Sequence, residues 1–221
     1  MKKNNQMSVK ILFLALIFSL GLNVFQFSKS IYSNNDTPSA VVERVIDGDS
    51  FITADGIRMR LSNIEAPELQ YCGGNEAKQR LQYLIEGKNV KVIYNSEDIY
   101  NRSIVLVYQG NKFVNKILLS EGLARYDGSK SPARDELRDA YQKAVKQELG
   151  IFSSKCRSLV ADNPDCSIKG NIERNTGIKR YIFPGCSEYN RTIVEKDLGE
   201  SWFCSESQAK KEGYIKASNC P

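Results

Sequence analysis

Hydrophobic and polar positions fall into distinct regimes along the chain. From Ile11 to Phe27 the residues are almost continuously apolar, interrupted by Asn23 and Gln26, and Lys2, Lys3 and Lys10 precede the run. Ser28 to Ala40 is polar and contains Ser33-Asn34-Asn35-Asp36-Thr37-Pro38-Ser39, the composition of a linker. Short runs with strand character follow: Val41 to Ile46, Ser50 to Thr53, Ile57 to Leu61, Val90 to Tyr94 and Ile104 to Tyr108. Asp55-Gly56, between the second and third of these, is a strong hairpin signal, and Gly110-Asn111 marks a turn after the fifth. Three helical patterns interleave with them. Asn75 is the expected cap of a helix running to Ile85, with Ala77, Leu81, Leu84 and Ile85 on one face and Gly87 ending it. Val114 to Glu121 reads as a short helix stopped by Gly122. Ser131-Pro132 is expected to open a longer one, with Leu137, Ala140, Tyr141, Ala144 and Leu149 inward and Gly150 closing it. From Cys156 the segments become short and turn-rich. The expected organisation is therefore an N-terminal segment 1–28, a linker 29–40, a domain 41–155 and a small module 156–221.

Composition narrows the chemistry. The formal charge of +5, from 31 Lys and Arg against 26 Asp and Glu, is only mildly basic and is weak support for a polyanionic partner. The chain has no histidine, which excludes His-based triads, His-ligated zinc hydrolysis and histidine general bases. Carboxylates, arginines and a metal are what remain. Six cysteines, from Cys72 to Cys220, include no Cys-x-x-Cys pair, and an even count downstream of an export signal predicts disulfides. The apolar run would reach about 26 Å as a helix, against a hydrocarbon core of roughly 30 Å. No small-x-small cleavage site follows it cleanly, and no Leu-x-x-Cys lipid-attachment site precedes Cys72. The expectation is an uncleaved membrane anchor, with a cleaved signal peptide as the alternative. The N-terminal lysines then leave the amino end in the cytoplasm and the remainder, a monomer, outside it.

Carboxylates concentrate in Asp47-Gly48-Asp49-Ser50 and Glu65-Ala66-Pro67-Glu68, with Arg60-Leu61 between them. A hairpin at Asp55-Gly56 folds this stretch back, so that Asp47, Asp49, Glu65 and Glu68 can converge at one end of the strands. Such an oxygen-rich cluster suits a hard cation such as calcium, and its mutual repulsion calls for a cation or an arginine within it. Farther on stand Asp98-Ile99-Tyr100-Asn101-Arg102-Ser103-Ile104, Val114-Asn115 and Gly122-Leu123-Ala124. Taken in order, these fragments resemble the thermonuclease (staphylococcal-nuclease-like) family over roughly Ser39 to Ser154. That family's pattern is Asp-Gly-Asp-Thr, Arg, Asp-Thr/Ala-Pro-Glu and a distant Gly-Arg. This chain departs from it with Glu65 for Asp, Asn101 for Gly, and Ile99 where Lys is common.

The resemblance implies an α+β fold: a five-stranded OB-like β-barrel with three helices, followed by the small C-terminal module. It also implies a calcium-dependent nuclease that cuts DNA and RNA with little sequence preference and leaves a 3'-phosphate. Asp49, Glu65 and the main-chain carbonyl of Ala66 would hold calcium, with Asp47 behind them. Glu68 would be the general base, and Arg60 and Arg102 would meet the charge developing on the phosphate. Tyr100 would contact the terminal nucleotide, and Tyr126 is near the place of a second such aromatic. Ile99 implies one missing phosphate contact.

The C-terminal residues Asp165-Cys166, Ile168-Lys169-Gly170-Asn171-Ile172, Tyr181, Phe183-Pro184-Gly185-Cys186 and Trp202-Phe203-Cys204-Ser205-Glu206 resemble a small module attached to some bacterial extracellular nucleases. Relatives usually carry His before Pro-Gly, and Phe183 in its place counts against a metal there. A module of this size buries little core, so cross-links are expected. Of the pairings open to six cysteines, we expect Cys186–Cys204, Cys166–Cys220 and Cys72–Cys156. Two other functions compete with the nuclease: a non-catalytic surface module that binds nucleic acid or an anionic wall polymer, and, more weakly, a Cys-only zinc site in the module.

Overall fold

A computed structural model describes residues 38–221. The expected anchor 1–28 and the linker as far as residue 37 lie outside the described residues. Among those described, no helix is long and apolar enough to cross a membrane.

The first half is built from β1 (Ser39–Val45), β2 (Ser50–Thr53), β3 (Arg58–Leu61), β4 (Ile64–Glu65), α1 (Gly74–Ile85), β5 (Asn89–Glu97), β6 (Ser103–Gln109), β7 (Lys112–Phe113), α2 (Val114–Ser120), β8 (Arg125–Tyr126) and α3 (Arg134–Lys146). Strands β3-β2-β1-β5-β6 are neighbours in that order, and a parallel pairing of β3 with β6 closes them into the expected five-stranded barrel. Val42, Val45, Phe51, Leu61, Val90, Val92 and Val105 fill its core. Along β5 the burial alternates, as in a strand with one wet face. In β6 Val105, Leu106 and Val107 are all buried, because α2 lies against it. Asn115 of α2 fastens that contact: its Oδ1 accepts from Val107 N at 2.9 Å and its Nδ2 donates to Ser62 O at 2.9 Å.

Local details differ from the sequence reading. Gly73, not Asn75, takes the N-cap of α1, and the Asn75 amide instead donates to Leu69 O. Ser131-Pro132 forms a turn ahead of α3, which starts at Arg134. Leu149 lies beyond the end of α3 and is exposed, because the helix stops at Lys146 and Glu148 adopts a left-handed backbone.

The second half holds β9 (Arg157–Ser158), β10 (Ile168–Ile172), β11 (Lys179–Ile182), β12 (Val194–Glu195), β13 (Trp202–Phe203), α4 (Glu206–Lys211) and β14 (Ile215–Lys216), with a 3-10 turn at Lys196–Leu198. A four-stranded sheet, β13-β10-β11-β14, packs Ile168, Tyr181, Phe203, Ala209 and Tyr214 together. The disulfides are Cys72–Cys156, Cys166–Cys204 and Cys186–Cys220. Of the expected pairings, Cys186–Cys204 and Cys166–Cys220 are therefore incorrect, and strand pairing explains why. Ile168 of β10 faces Phe203 of β13, which brings Cys166, just before β10, beside Cys204, just after β13. Strands β11 and β14 run parallel, so the segments leaving them bring Cys186 to Cys220. No cysteine is free, which removes the thiolates that a Cys-only zinc site needs.

Candidate active site at the Arg60–Arg102 cleft

The turn between β1 and β2 presents Asp47 and Asp49. Asp49 N donates to Asp47 Oδ1 at 3.0 Å, which holds the two carboxylates side by side. The Asp49 side chain is buried: Oδ1 accepts from Arg60 Nη1 and from Ser50 Oγ, each at 2.8 Å, and Oδ2 accepts from Ala66 N at 3.0 Å. The β2–β3 hairpin makes the arginine contact possible, since its register sets Ser50 opposite Arg60. Burial pushes the Asp49 carboxyl up to about 6; Arg60 opposes this and the Asp47 charge adds to it. Gly48 is where the turn meets the rest of the fold. A Cβ there would lie 2.5 Å from the Ala66 Cβ and 2.7 Å from the Ala77 Cβ, so only glycine lets the acidic turn seat against α1 and the Ala66 loop.

Arg102 reaches the same region through the parallel β3–β6 pairing, whose register puts Arg60 opposite Ile104. A tight turn aims it. Asp98 Oδ1 accepts from the backbone N–H of Tyr100 and of Arg102, both at 2.9 Å, and Oδ2 accepts from Arg102 Nε at 2.7 Å. Asn101 completes the turn at φ 57°, a left-handed conformation that asparagine tolerates far better than most residues. Tyr100 is exposed, with the Arg102 guanidinium 5.5 Å from its ring centre.

Arg60 and Arg102 border one open cleft of about 740 Å³, together with Asn95, Asp98, Asp127, Lys130 and Ser131. The loop 127–131 is tied down from below. Asn63 Nδ2 donates to Ser129 O at 2.5 Å, and Asn95 Nδ2 donates to Lys130 O at 2.9 Å. Asn95 sits at a break in the β5–β6 register between Tyr94 and Ser96, and such irregularities redirect side chains at strand edges. Among the described residues the Lys130 ammonium has no hydrogen-bond or ion-pair partner, and the Ser131 hydroxyl is buried without one. Sequence reasoning missed Lys130, Ser131 and Asn95. No motif marks them; the β4–β8 pairing and the Asn63 and Asn95 hydrogen bonds bring their loop to the arginines.

The remaining candidates, Glu65, Ala66, Glu68 and Tyr126, do not line this cleft. Ala66 is tied to Asp49 by its backbone N–H, while Glu65 and Glu68 are exposed on the neighbouring strand and loop. Glu68 makes no side-chain hydrogen bond or ion pair among the described residues. Tyr126 packs 6.2 Å from the Tyr141 ring and, with Glu65, lines a separate cavity of about 270 Å³; its hydroxyl is buried without a partner. Among the described residues no three His, Cys, Asp or Glu side chains are gathered at metal-ligand spacing. The donor chemistry nevertheless fits a hard cation. Asp47, Asp49, Glu65 and a backbone carbonyl are all oxygen donors, and the Asp49 carboxylate already faces one cation, the Arg60 guanidinium.

Residues 58–154 match a family model described as staphylococcal nuclease homologue, a span that takes in Arg60, Glu65, Glu68 and Arg102 and begins after Asp49. The chain is 32% identical over 127 residues to a micrococcal nuclease of Shigella flexneri, covering 51% of this chain and 72% of that protein. It is 35% identical over 107 residues to a staphylococcal-like nuclease of Arabidopsis thaliana, covering 47% of this chain and 32% of that protein. An uncharacterized endonuclease of Escherichia coli O157:H7 is 36% identical over 87 residues, covering 38% of this chain and 57% of that protein. The chain thus spans only about a third of the Arabidopsis relative, but most of the Shigella one. With the closed barrel and the two arginines on one cleft, these matches place the chain in the staphylococcal nuclease homologue family.

Proposed function

We propose that this protein is a phosphodiester hydrolase, an endonuclease that cuts DNA and RNA with little sequence preference in the Arg60–Arg102 cleft. One observation carries the reading: two guanidinium groups, one from β3 and one from the turn before β6, border a single cleft, and one of them is hydrogen-bonded to a buried carboxylate. A phosphodiester repels nucleophiles and gathers negative charge on its oxygens as it reacts, so preorganised cations are what such a site requires. Arg60 spends Nη1 on Asp49, and Arg102 spends Nε on Asp98. Among the described residues their other side-chain N–H groups make no hydrogen bond, which leaves them for phosphate oxygens in the forked geometry that suits them. Glu68, exposed on the loop after β4, would accept the proton of the attacking water as its oxygen bonds to phosphorus, while the P–O bond to the leaving group breaks and that oxygen takes a proton from solvent. Tyr100 offers a ring that any base can stack on, consistent with indifference to sequence.

Asp49 and Glu65, the carbonyl of Ala66 and, behind them, Asp47 are the residues that would hold calcium. A bound cation would supply Lewis-acid polarisation of the phosphate and a place for the water. Glu65 carries one methylene more than the family's aspartate, and calcium's flexible shell accommodates that better than magnesium's. Three disulfides are the chemistry of an oxidising compartment, which supports action outside the cytoplasm, with residues 1–28 as the anchor or export signal.

Cleavage of single-stranded DNA and RNA by the purified protein should appear with calcium, disappear with EDTA and return on adding calcium back. Glu68→Gln and Arg60→Ala should each lose on the order of a hundredfold or more in kcat while still binding nucleic acid. Full cleavage by Glu68→Gln would remove the base from that residue. Salt-sensitive binding without product under every metal condition would leave the non-catalytic binding module as the better reading.

A further inference from the structure

Of the two carboxylates assigned to metal and water, Glu65 lies in, and Glu68 just beyond, a ribbon of only two residues per strand, in which Ile64 pairs with Tyr126 and Glu65 with Arg125. So short a ladder cannot hold itself. Its support comes from a five-residue strap in the C-terminal half, Glu195 to Gly199. The Arg125 guanidinium is buried against that strap: Nε donates to Asp197 Oδ2 at 2.7 Å, and Nη2 donates to Asp197 Oδ1 at 3.0 Å and to Glu195 Oε1 at 3.2 Å. The same strap grips the segment after Glu68. Cys72 N donates to Lys196 O at 3.3 Å, and Lys196 N donates to Cys156 O at 2.8 Å, beside the Cys72–Cys156 disulfide. Gly199, at φ 82°, lies so close to the Tyr71 ring that a Cβ there would stand 2.5 Å from its Cζ. No strap residue borders the Arg60–Arg102 cleft.

We propose that Arg125 and Asp197 are positioning residues: through them the C-terminal half sets Glu65, Ala66 and Glu68 relative to Asp49 and Arg60. The inference rests on the nuclease reading above. A bidentate arginine–carboxylate pair fixes both distance and orientation, so its loss frees the ribbon to shift. Groups standing one shell behind a metal ligand typically matter by about 10–100-fold in affinity or rate.

The test uses the full chain. Asp197→Asn and Arg125→Lys are compared with Tyr181→Phe, which removes a hydrogen bond to Glu206 in the same half without touching the strap. Calorimetric titration with calcium alone should give a dissociation constant about tenfold weaker in both strap variants. It should be unchanged in Tyr181→Phe. Their kcat should fall by more than the folded fraction seen by circular dichroism, and KM should stay within a few-fold. A merely structural role lowers the folded fraction but leaves the calcium affinity of the folded molecules alone. Arg125→Lys keeps a buried positive charge, so it supplies the readout if Asp197→Asn does not fold. Unaltered calcium affinity and kcat in an active wild-type background would overturn the positioning role alone. A wild type that cleaves nothing would overturn the nuclease reading and this inference with it.

Discussion

At Asn101 the departure from the family pattern has a backbone explanation. The position lies at φ 57°, where a Cβ is costly for most residues but asparagine's short polar side chain is tolerated, so Asn101 keeps the turn that glycine would otherwise supply. Asn101→Gly should leave kcat within about twofold. Asn101→Val should cost about 1–2 kcal/mol in chemical denaturation and reduce activity by loosening the Asp98–Arg102 turn. Lys130 is the complementary case: a residue with no sequence signal that stands at the cleft beside Arg60 and Arg102. If the proposed nuclease reading holds, it would meet a second phosphate in place of the contact that Ile99 cannot make. Lys130→Ala should raise KM several-fold with little change in kcat. It should also reduce the slope of log affinity against log salt by about 0.7–0.9, the share of one phosphate contact. An unchanged salt slope would remove Lys130 from the substrate track.

Among the elements, the β1–β2 turn and the β2–β3 hairpin do most to assemble the site. The hairpin's register brings Arg60 back to Asp49, and the turn seats on α1 because Gly48 has no side chain. Gly48→Val should therefore destabilise the protein by about 1–3 kcal/mol through overpacking against Ala66 and Ala77. The folded fraction should lose activity as well, because Asp47 and Asp49 ride on that turn. Denaturant midpoints and kcat on the same preparation check both. If stability falls but kcat per folded molecule holds, the turn is not what places the carboxylates.

For the whole molecule, the Cys72–Cys156 bond spans 84 residues and ties the Glu68 loop to the segment after α3. Replacing both cysteines with serine should lower stability by about 2–4 kcal/mol in urea. Glu200 gives the protein a pH dependence of definite sign. It is buried, accepts from Ile172 N, Asn171 Nδ2 and Glu195 N at 2.8 Å each, and burial pushes its carboxyl up to about 7. Between its ordinary value of 4.5 and about 7, the folded protein holds a proton that the unfolded chain has released. Stability from this group is thus present at low pH and is lost as pH rises through that window. In Glu200→Gln that part of the decline should vanish from urea midpoints measured across the range. A slope unchanged from wild type would show that Glu200 is not its source.

Much of this was legible in the chain because it depends on neighbours in sequence. Short apolar and β-branched runs marked the five barrel strands, the 3.6-residue spacing set the buried face of α1, Asp55-Gly56 set the hairpin, and the absence of histidine confined the chemistry to carboxylates, arginines and a cation. What pairs across long separations was not legible. The partners of Cys166 and Cys186 follow from which strands of the C-terminal sheet are adjacent, and the approach of Lys130 to Arg60 follows from the β4–β8 pairing and the Asn63 and Asn95 hydrogen bonds to its loop. The Arg125–Asp197 pair joins residues 72 apart in sequence. Local propensity and periodicity act over a few residues, whereas these contacts depend on how finished elements pack, and that is decided only when the whole chain has folded.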